Sequence, residues 1–181
     1  IVFLQTPNAR FEYVEDASLY PLLQQPEGST LALGAADLNE DGLLELLVSQ
    51  DSIALPGGRP THPGGIYRRC QPNQACHFES YPLERGDAAL RNLMGSGVLN
   101  LEGHGEFVYY SDIDVNQLVQ MTAETAYNRS LEFGAALDRA GAIDMVESYS
   151  WGVAVDDFDR DGYDDVFVAR GSLVPHPAYD Y

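Results

Sequence analysis

The sequence lacks most of the features that would assign the chain to a familiar functional class. No apolar run approaches the length of about 18 residues that a membrane-spanning helix needs. Basic residues are scarce, with 10 Lys and Arg against 28 Asp and Glu and a net charge of −18. This imbalance disfavours nucleic acids and anionic membranes as partners, because both would be repelled. Nucleophile elbows, His-Glu-x-x-His helices and phosphate loops are also missing from the sequence.

Cysteine is rare as well, since Cys70 and Cys76 are the only two. Their spacing is not Cys-x-x-Cys and no second pair exists, which disfavours a redox or zinc role. The turn signal Pro72-Asn73 lies between them, and the residues on either side have the pattern of strands. The two sulfurs should therefore lie within bridging distance at the end of a hairpin. A disulfide there would indicate an oxidising, extracellular compartment.

What the sequence does have favours a turn-rich β protein. It contains 17 Gly, 10 Pro and 11 Tyr in 181 residues, with 45% hydrophobic residues, enough for one domain with a substantial core. The chain starts at Ile1 without an initiator Met or a basic segment, which indicates a processed or partial chain.

The most regular pattern is an acidic loop that occurs twice, 120 residues apart. Its positions 1, 3, 5, 6 and 9 are occupied by Asp37, Asn39, Asp41, Gly42 and Glu45 in the first copy and by Asp157, Asp159, Asp161, Gly162 and Asp165 in the second. Oxygen ligands at alternate positions, a Gly for the sharp turn, and a backbone carbonyl at position 7 (Leu43 and Tyr163) are typical of a calcium loop. We therefore predict two Ca²⁺ sites. The alternative is an acidic surface turn.

The loop is not an EF-hand, which needs a bidentate Glu at position 12 and a helix on each side. Position 12 is Val48 in one copy and Val168 in the other. The flanking apolar runs are short and favour strands. Each loop should therefore join the two strands of a hairpin.

Half of the 120-residue period leads to a third, degenerate copy between Asn100 and Val108. Asn100, Glu102 and His104 fall at positions 1, 3 and 5, with Gly105 at position 6 and Val108 at position 9. We expect this copy to keep the hairpin and to bind calcium weakly or not at all. His104 has no second nitrogen or sulfur ligand in the loop, so we interpret it as a turn residue and not as a transition-metal ligand.

The segments Trp151–Val168 and Ala32–Val48 resemble the FG-GAP or VCBS repeats, which form calcium-binding β-propellers in integrin α heads and in cartilage acidic protein-like proteins. A second element of these repeats, an outer hairpin, is matched by 66–68 with 77–79 and by 117–119 with 131–133. The resemblance implies an all-β fold of four-stranded antiparallel propeller blades. About three blades are expected, completed by further propeller sequence or by another chain.

We interpret residues 1–181 as one propeller segment, with repeats near 11–81, 82–134 and 135–181 plus 1–14. The expected strands are 2–4, 10–14, 31–36, 43–49, 66–70, 76–81, 96–101, 106–111, 117–121, 130–134, 150–156 and 163–169. A helix over 114–127 is the alternative for that segment, because Val115, Leu118 and Val119 fall on one helical face.

The function expected from these features is an extracellular, calcium-stabilised module for adhesion or assembly, without catalytic activity, that binds a protein or a glycan. The alternatives are the propeller portion of a polysaccharide-degrading enzyme and a structural subunit of a larger surface assembly. A carboxylate held on calcium is a poor general acid, because the cation favours its ionised form. Asn128 begins an Asn-Arg-Ser triplet, a possible glycosylation site if the host is eukaryotic.

Overall fold

The computed structural model describes residues 3–13, 29–51, 65–70, 78–81, 93–112, 116–122, 125–135 and 149–171. The regular elements in these ranges are all strands: β1 (Phe3–Gln5), β2 (Phe11–Tyr13), β3 (Ser29–Ala36), β4 (Glu45–Asp51), β5 (Gly65–Arg69), β6 (Phe78–Ser80), β7 (Leu93–Leu101), β8 (Gly105–Asp112), β9 (Gln117–Met121), β10 (Ala126–Asn128), β11 (Tyr149–Asp156) and β12 (Asp165–Gly171). The predicted all-β fold is thus confirmed for the described residues. None of them forms a helix of the length and apolarity needed to cross a membrane.

The strands form four antiparallel sheets. Two sheets have four strands each, in the orders β3-β4-β5-β6 and β10-β9-β8-β7, and two are ribbons, β1-β2 and β11-β12. In each four-stranded sheet every strand pairs with the next one along the chain. Strand β7 lies against β3 and β4 on one side and against β11 on the other.

The internal repeat is visible in the backbone as a bulge near the start of three strands. The pairing register shifts around Leu31 in β3, around Met94 in β7 and around Trp151 in β11. These three residues are spaced by 63 and 57, as the loop positions predict. A β-bulge bends a strand and increases its twist, so the three hairpins share a local shape as well as a sequence pattern.

Two hydrophobic cores lie on the two faces of the β7–β10 sheet. Side chains on β8 alternate between them, since Val108 and Tyr110 enter the core shared with β3–β6, and Phe107 and Tyr109 enter the core shared with β11–β12. This alternation follows from the period of two in a strand. The β7–β10 sheet is therefore buried on both faces.

Two glycines in β7 allow its close approach to β11. A Cβ atom at Gly95 would lie 2.5 Å from the backbone oxygen of Trp151, and one at Gly97 would lie 2.6 Å from a methyl group of Val155. The hydroxyl of Ser111 also donates a hydrogen bond to the oxygen of Trp151. The backbone contact between these two sheets therefore depends on residues without side chains.

The prediction of a strand over 130–134 was wrong, because these residues form a turn. The side chain of Asn128 accepts a hydrogen bond from the Ser130 N–H at 3.0 Å, and the Ala135 N–H donates to the Ser130 carbonyl at 2.7 Å. Such Asx turns compete with strand pairing. The partner of β9 is β10, at Ala126–Asn128, so the predicted outer hairpin of 117–119 with 131–133 was also wrong. The strand at 117–121 is confirmed, and the helix alternative is excluded there.

Candidate metal centre

The two acidic loops, residues 37–44 and 157–164, have the same backbone conformation. Position 4 has a positive φ without being glycine, 59° at Glu40 and 65° at Arg160, and position 6 has φ of 84° at Gly42 and 94° at Gly162. Left-handed conformations are strained for side chains with a Cβ. Two copies that share this strain at the same position have kept one loop geometry.

Backbone N–H groups hold the acidic side chains of the second loop in place. Both oxygens of Asp157 accept hydrogen bonds, from the N–H of Asp161 at 3.0 Å and of Gly162 at 2.9 Å. The carboxylate of Asp159 accepts from Asp161 at 3.1 Å. Each carboxylate oxygen retains lone-pair capacity for a cation after accepting one such bond.

The first loop repeats this network almost bond for bond. Asp37 accepts from the N–H groups of Asp41 and Gly42 at 3.0 and 2.8 Å, and Asn39 accepts from Asp41 at 3.0 Å. The residue at position 5 accepts from position 7 in both loops: Asp41 from Leu43 at 2.8 Å, and Asp161 from Tyr163 at 3.0 Å. Position 9 accepts from position 2 in the same way, Glu45 from Leu38 at 2.8 Å and Asp165 from Phe158 at 3.0 Å.

Three carboxylates of the second loop converge on one point. Asp157, Asp159 and Asp165 each offer an oxygen, and these oxygens lie within 4.8 Å of one another. Oxygens that share a Ca²⁺ ion at about 2.4 Å can be at most about 4.8 Å apart, so the group fits a common cation. Asp161, predicted as the ligand at position 5, is not a member of this group. The geometry therefore defines a site that could bind a metal ion, built from positions 1, 3 and 9.

The same three positions in the first loop hold only two acids, because Asn39 replaces an aspartate. Its third member, Glu45, is almost fully buried, with 1% exposure. Burial raises the pKa of Glu45, the hydrogen bond from the Leu38 N–H opposes that shift, and the nearby charges of Asp41 and Asp37 raise it further. A cation in this loop would reverse the unfavourable charge balance around Glu45.

An acidic cleft of about 470 Å³ separates the second loop from the β7–β8 turn. Glu102, Asp161 and Asp164 contribute carboxylates to its lining, and Asn100 lies beside them. The carboxylate of Asp164 accepts a hydrogen bond from the Asn100 N–H at 2.8 Å. This contact, which ties the second loop to the neighbouring sheet, was missed by the sequence reasoning because position 8 carries no signal in the loop pattern.

The third, degenerate copy keeps the hairpin, as predicted, but its loop is shorter. Asn100 lies in β7 opposite Glu106, and only residues 102–104 lie between the strands. His104 is in this turn, its N–H donates to the Leu101 carbonyl at 2.8 Å, and its ring packs edge-on against Phe133 at 5.1 Å. Positions 1 to 6 therefore do not form a ligand loop here.

Of the remaining predicted site residues, Cys70 and Asn128 are described, and neither is part of the two acidic loops. Cys70 is buried directly after β5, whereas Cys76 lies outside the described residues, so their disulfide stays a prediction. Asn128 is half-buried at the end of β10, where its side-chain oxygen accepts from the Ser130 hydroxyl at 2.6 Å. Its glycosylation also stays a prediction.

Comparisons of the chain with protein-family models, with curated proteins and with solved structures gave no match. The proposed function therefore rests on the fold and on the geometry of the two loops.

Proposed function

We propose that the chain is a calcium-stabilised, FG-GAP/VCBS-like β-propeller segment that acts outside the cell as a binding and assembly module. The observation that carries the proposal is the duplicated loop: two segments 120 residues apart share their positive φ angles and their hydrogen-bond pattern. One of them brings three carboxylate oxygens within 4.8 Å. A loop preserved in this detail serves a common ligand.

The donor set favours calcium over other cations. Every candidate side chain in both loops offers oxygen, and no His or Cys is among them, whereas zinc and copper sites use nitrogen or sulfur ligands. Magnesium prefers an octahedral shell that includes several waters, while Ca²⁺ accepts six to eight oxygens from a flexible loop. The two position-7 carbonyls, of Leu43 and Tyr163, would add to the carboxylates.

The role of the metal is structural. Each loop closes an inner hairpin, β3–β4 or β11–β12, and its position-2 and position-9 residues are already tied by a hydrogen bond. A cation would neutralise the facing acids and fix the hairpin end. Millimolar extracellular calcium suits such sites, and the predicted disulfide points to the same compartment. The partner is a protein or a glycan, bound through loops away from the metal hairpins.

Titration calorimetry on the chelator-treated chain tests the proposal, together with melting curves in calcium and in chelator. We expect two bound ions and a stabilisation of about 4 kcal/mol per site when calcium exceeds its Kd a thousandfold. Asp159→Asn should weaken the second site. Asp156→Asn is the matched control, because it removes the same charge one residue before the loop while preserving an acceptor for the Asp157 N–H. No heat of binding and an unchanged melting temperature would refute the metal role.

A further inference from the structure

Two sheet faces, one on β3–β4 and one on β11–β12, are more exposed than the faces formed by the equivalent residues of the other repeat. The front face is the side of β3–β4 that points away from β7, and it includes Leu31 and Leu33, 47% and 69% exposed. Their equivalents 120 residues later are Trp151 and Val153, which are partly buried. Val153 packs against the core that the β7–β10 sheet shares with β11–β12. In the third repeat, the equivalent positions are covered by the β7–β10 sheet, which precedes β11 along the chain. The front face has no such cover among the described sheets.

The back face is the side of β11–β12 that points away from β7, and it shows the converse. Phe158 and Phe167 are 55% and 62% exposed there. Their equivalents in the first repeat, Leu38 and Leu47, are each only 2% exposed, in the core between β3–β6 and β7–β10. Two aromatic side chains are therefore exposed where the first repeat has a following sheet.

The space around the backbone also differs between the equivalent bulges of β7 and β11. In β7 the bulge is followed by Gly95, where an added Cβ would meet the Trp151 backbone at 2.5 Å. The equivalent residue of β11 is Gly152, where an added Cβ would meet, among the described residues, only the Cβ of Ala169, at 3.9 Å. The back face therefore has a small residue at the position of Gly95, with no close neighbour above it among the described residues.

Among the described strands, the two ribbons correspond to different halves of a four-stranded sheet. In the two complete sheets, an outer hairpin (β5–β6 or β9–β10) precedes the inner strand of the next sheet (β7 or β11). The ribbon β1–β2 precedes β3 in the same manner, so it corresponds to an outer hairpin. The ribbon β11–β12 corresponds to an inner hairpin, and among the described strands β12 pairs only with β11.

From these four observations we infer that two copies of this chain associate head to tail, the front face of one copy covering the back face of the other. The β1–β2 ribbon of one copy then continues the β11–β12 sheet of its partner. The contact between the copies would repeat the one that the fold already makes between β7 and β11, where the front of one sheet covers the back of the sheet before it. The inference deepens the assembly role of the proposed function and rests on it.

Light scattering after size-exclusion chromatography in calcium tests the association. The wild-type chain should elute as a dimer of about 40 kDa, twice its mass of 19.9 kDa. Leu33→Glu on the front face and Phe167→Glu on the back face should each weaken association at least 100-fold and give monomers. Leu131→Glu is the matched control, because Leu131 is 84% exposed in the turn after β10 and belongs to neither face.

Mixing the two monomeric variants distinguishes head-to-tail from symmetric contact. The Leu33→Glu chain retains its back face and the Phe167→Glu chain its front face, so an equimolar mixture should recover a dimer. If either variant alone still dimerises, or if the mixture stays monomeric, the head-to-tail arrangement is wrong. A monomeric wild-type chain at high concentration would overturn the inference entirely.

A second back-face variant guards against misfolding. Among the described residues, a Cβ added at Gly152 makes only an ordinary contact, so Gly152→Trp should fold with an unchanged circular dichroism spectrum and still abolish association. A dimeric Gly152→Trp would also overturn the inference. Metal binding is measured separately by calorimetry, so a dimer that binds no calcium would refute the metal role while leaving the assembly intact.

Discussion

The closeness of β7 to β11 makes Gly95→Ala a sharp test of the packing argument. The new methyl group would lie 2.5 Å from the Trp151 backbone oxygen, 3.2 Å from the Ser111 hydroxyl and 3.3 Å from the Val153 nitrogen. Two of these neighbours are backbone atoms, which cannot rotate away as a side chain can. Overpacking of this kind costs about 1 to 3 kcal/mol, which corresponds to roughly 2 to 12 °C in melting temperature for a chain of this size.

Gly152→Ala is the control, because it makes the same chemical change at the equivalent position of β11. Within the part of the chain that the structure describes, its methyl group would meet only the Ala169 Cβ at 3.9 Å, an ordinary contact. Reduced freedom of the unfolded chain should then make the variant neutral or more stable by about 0.4 to 1 kcal/mol. Urea denaturation at low protein concentration, where copies are dissociated, measures both values. Equal losses of stability for the two variants would refute the proposed difference between the covered and open faces.

Four further results are expected. Tyr110 is fully buried and its hydroxyl has no hydrogen-bond partner among the described residues, so Tyr110→Phe should raise the unfolding free energy by about 1 kcal/mol; a loss of stability would show that the hydroxyl is satisfied. Burial also raises the pKa of Tyr110, so its stability contribution is complete below the unfolded value of about 10 and is lost as pH rises above it; Tyr110→Phe should therefore flatten the alkaline decline in melting temperature. Asn39→Asp should tighten calcium binding at the first loop by roughly tenfold, and unchanged calorimetric affinity would show that loop geometry outweighs ligand charge. Mass spectrometry of the unreduced chain should find Cys70 and Cys76 joined, a bond that contributes roughly 2 kcal/mol through so short a loop, and two free thiols would reject it.

The hairpins could be predicted from sequence because their signals are local. Alternating apolar residues, a Gly at position 6 and regularly spaced acids all act within about a dozen residues. The start of β4 shows where local reasoning failed. Leu43 and Leu44 look like the first residues of a strand, yet both are exposed and lie in the loop, and β4 begins at Glu45. The hydrogen bond from the Leu43 N–H to Asp41 holds this stretch in the loop conformation.

The segment 131–133 failed for a related reason. Its sequence resembles 11–13, which does form β2, and the two lie 120 residues apart. The Asx turn of Asn128 redirects the chain just before it, so a similar apolar pattern meets no strand to pair with. Likewise, no local signal shows that Leu38 is buried and Phe158 exposed, because that difference depends on whether another sheet lies against the hairpin.

Metal binding and sheet packing meet at position 2 of each loop. The N–H of Leu38 donates to Glu45 at position 9, and the Leu38 side chain is buried in the core between the β3–β6 and β7–β10 sheets. Phe158 makes the same bond to Asp165, and its side chain lies on the open back face. A cation that holds the position-9 side chain therefore also orders the position-2 residue, whose side chain the next sheet covers.

Because such coupling is reciprocal, calcium affinity at the second loop should be higher in the wild-type dimer than in monomeric Phe167→Glu. Calorimetry on both forms, with the first loop as the internal reference, measures the ratio. Equal affinities at the second loop would show that the metal orders the hairpin without influencing assembly.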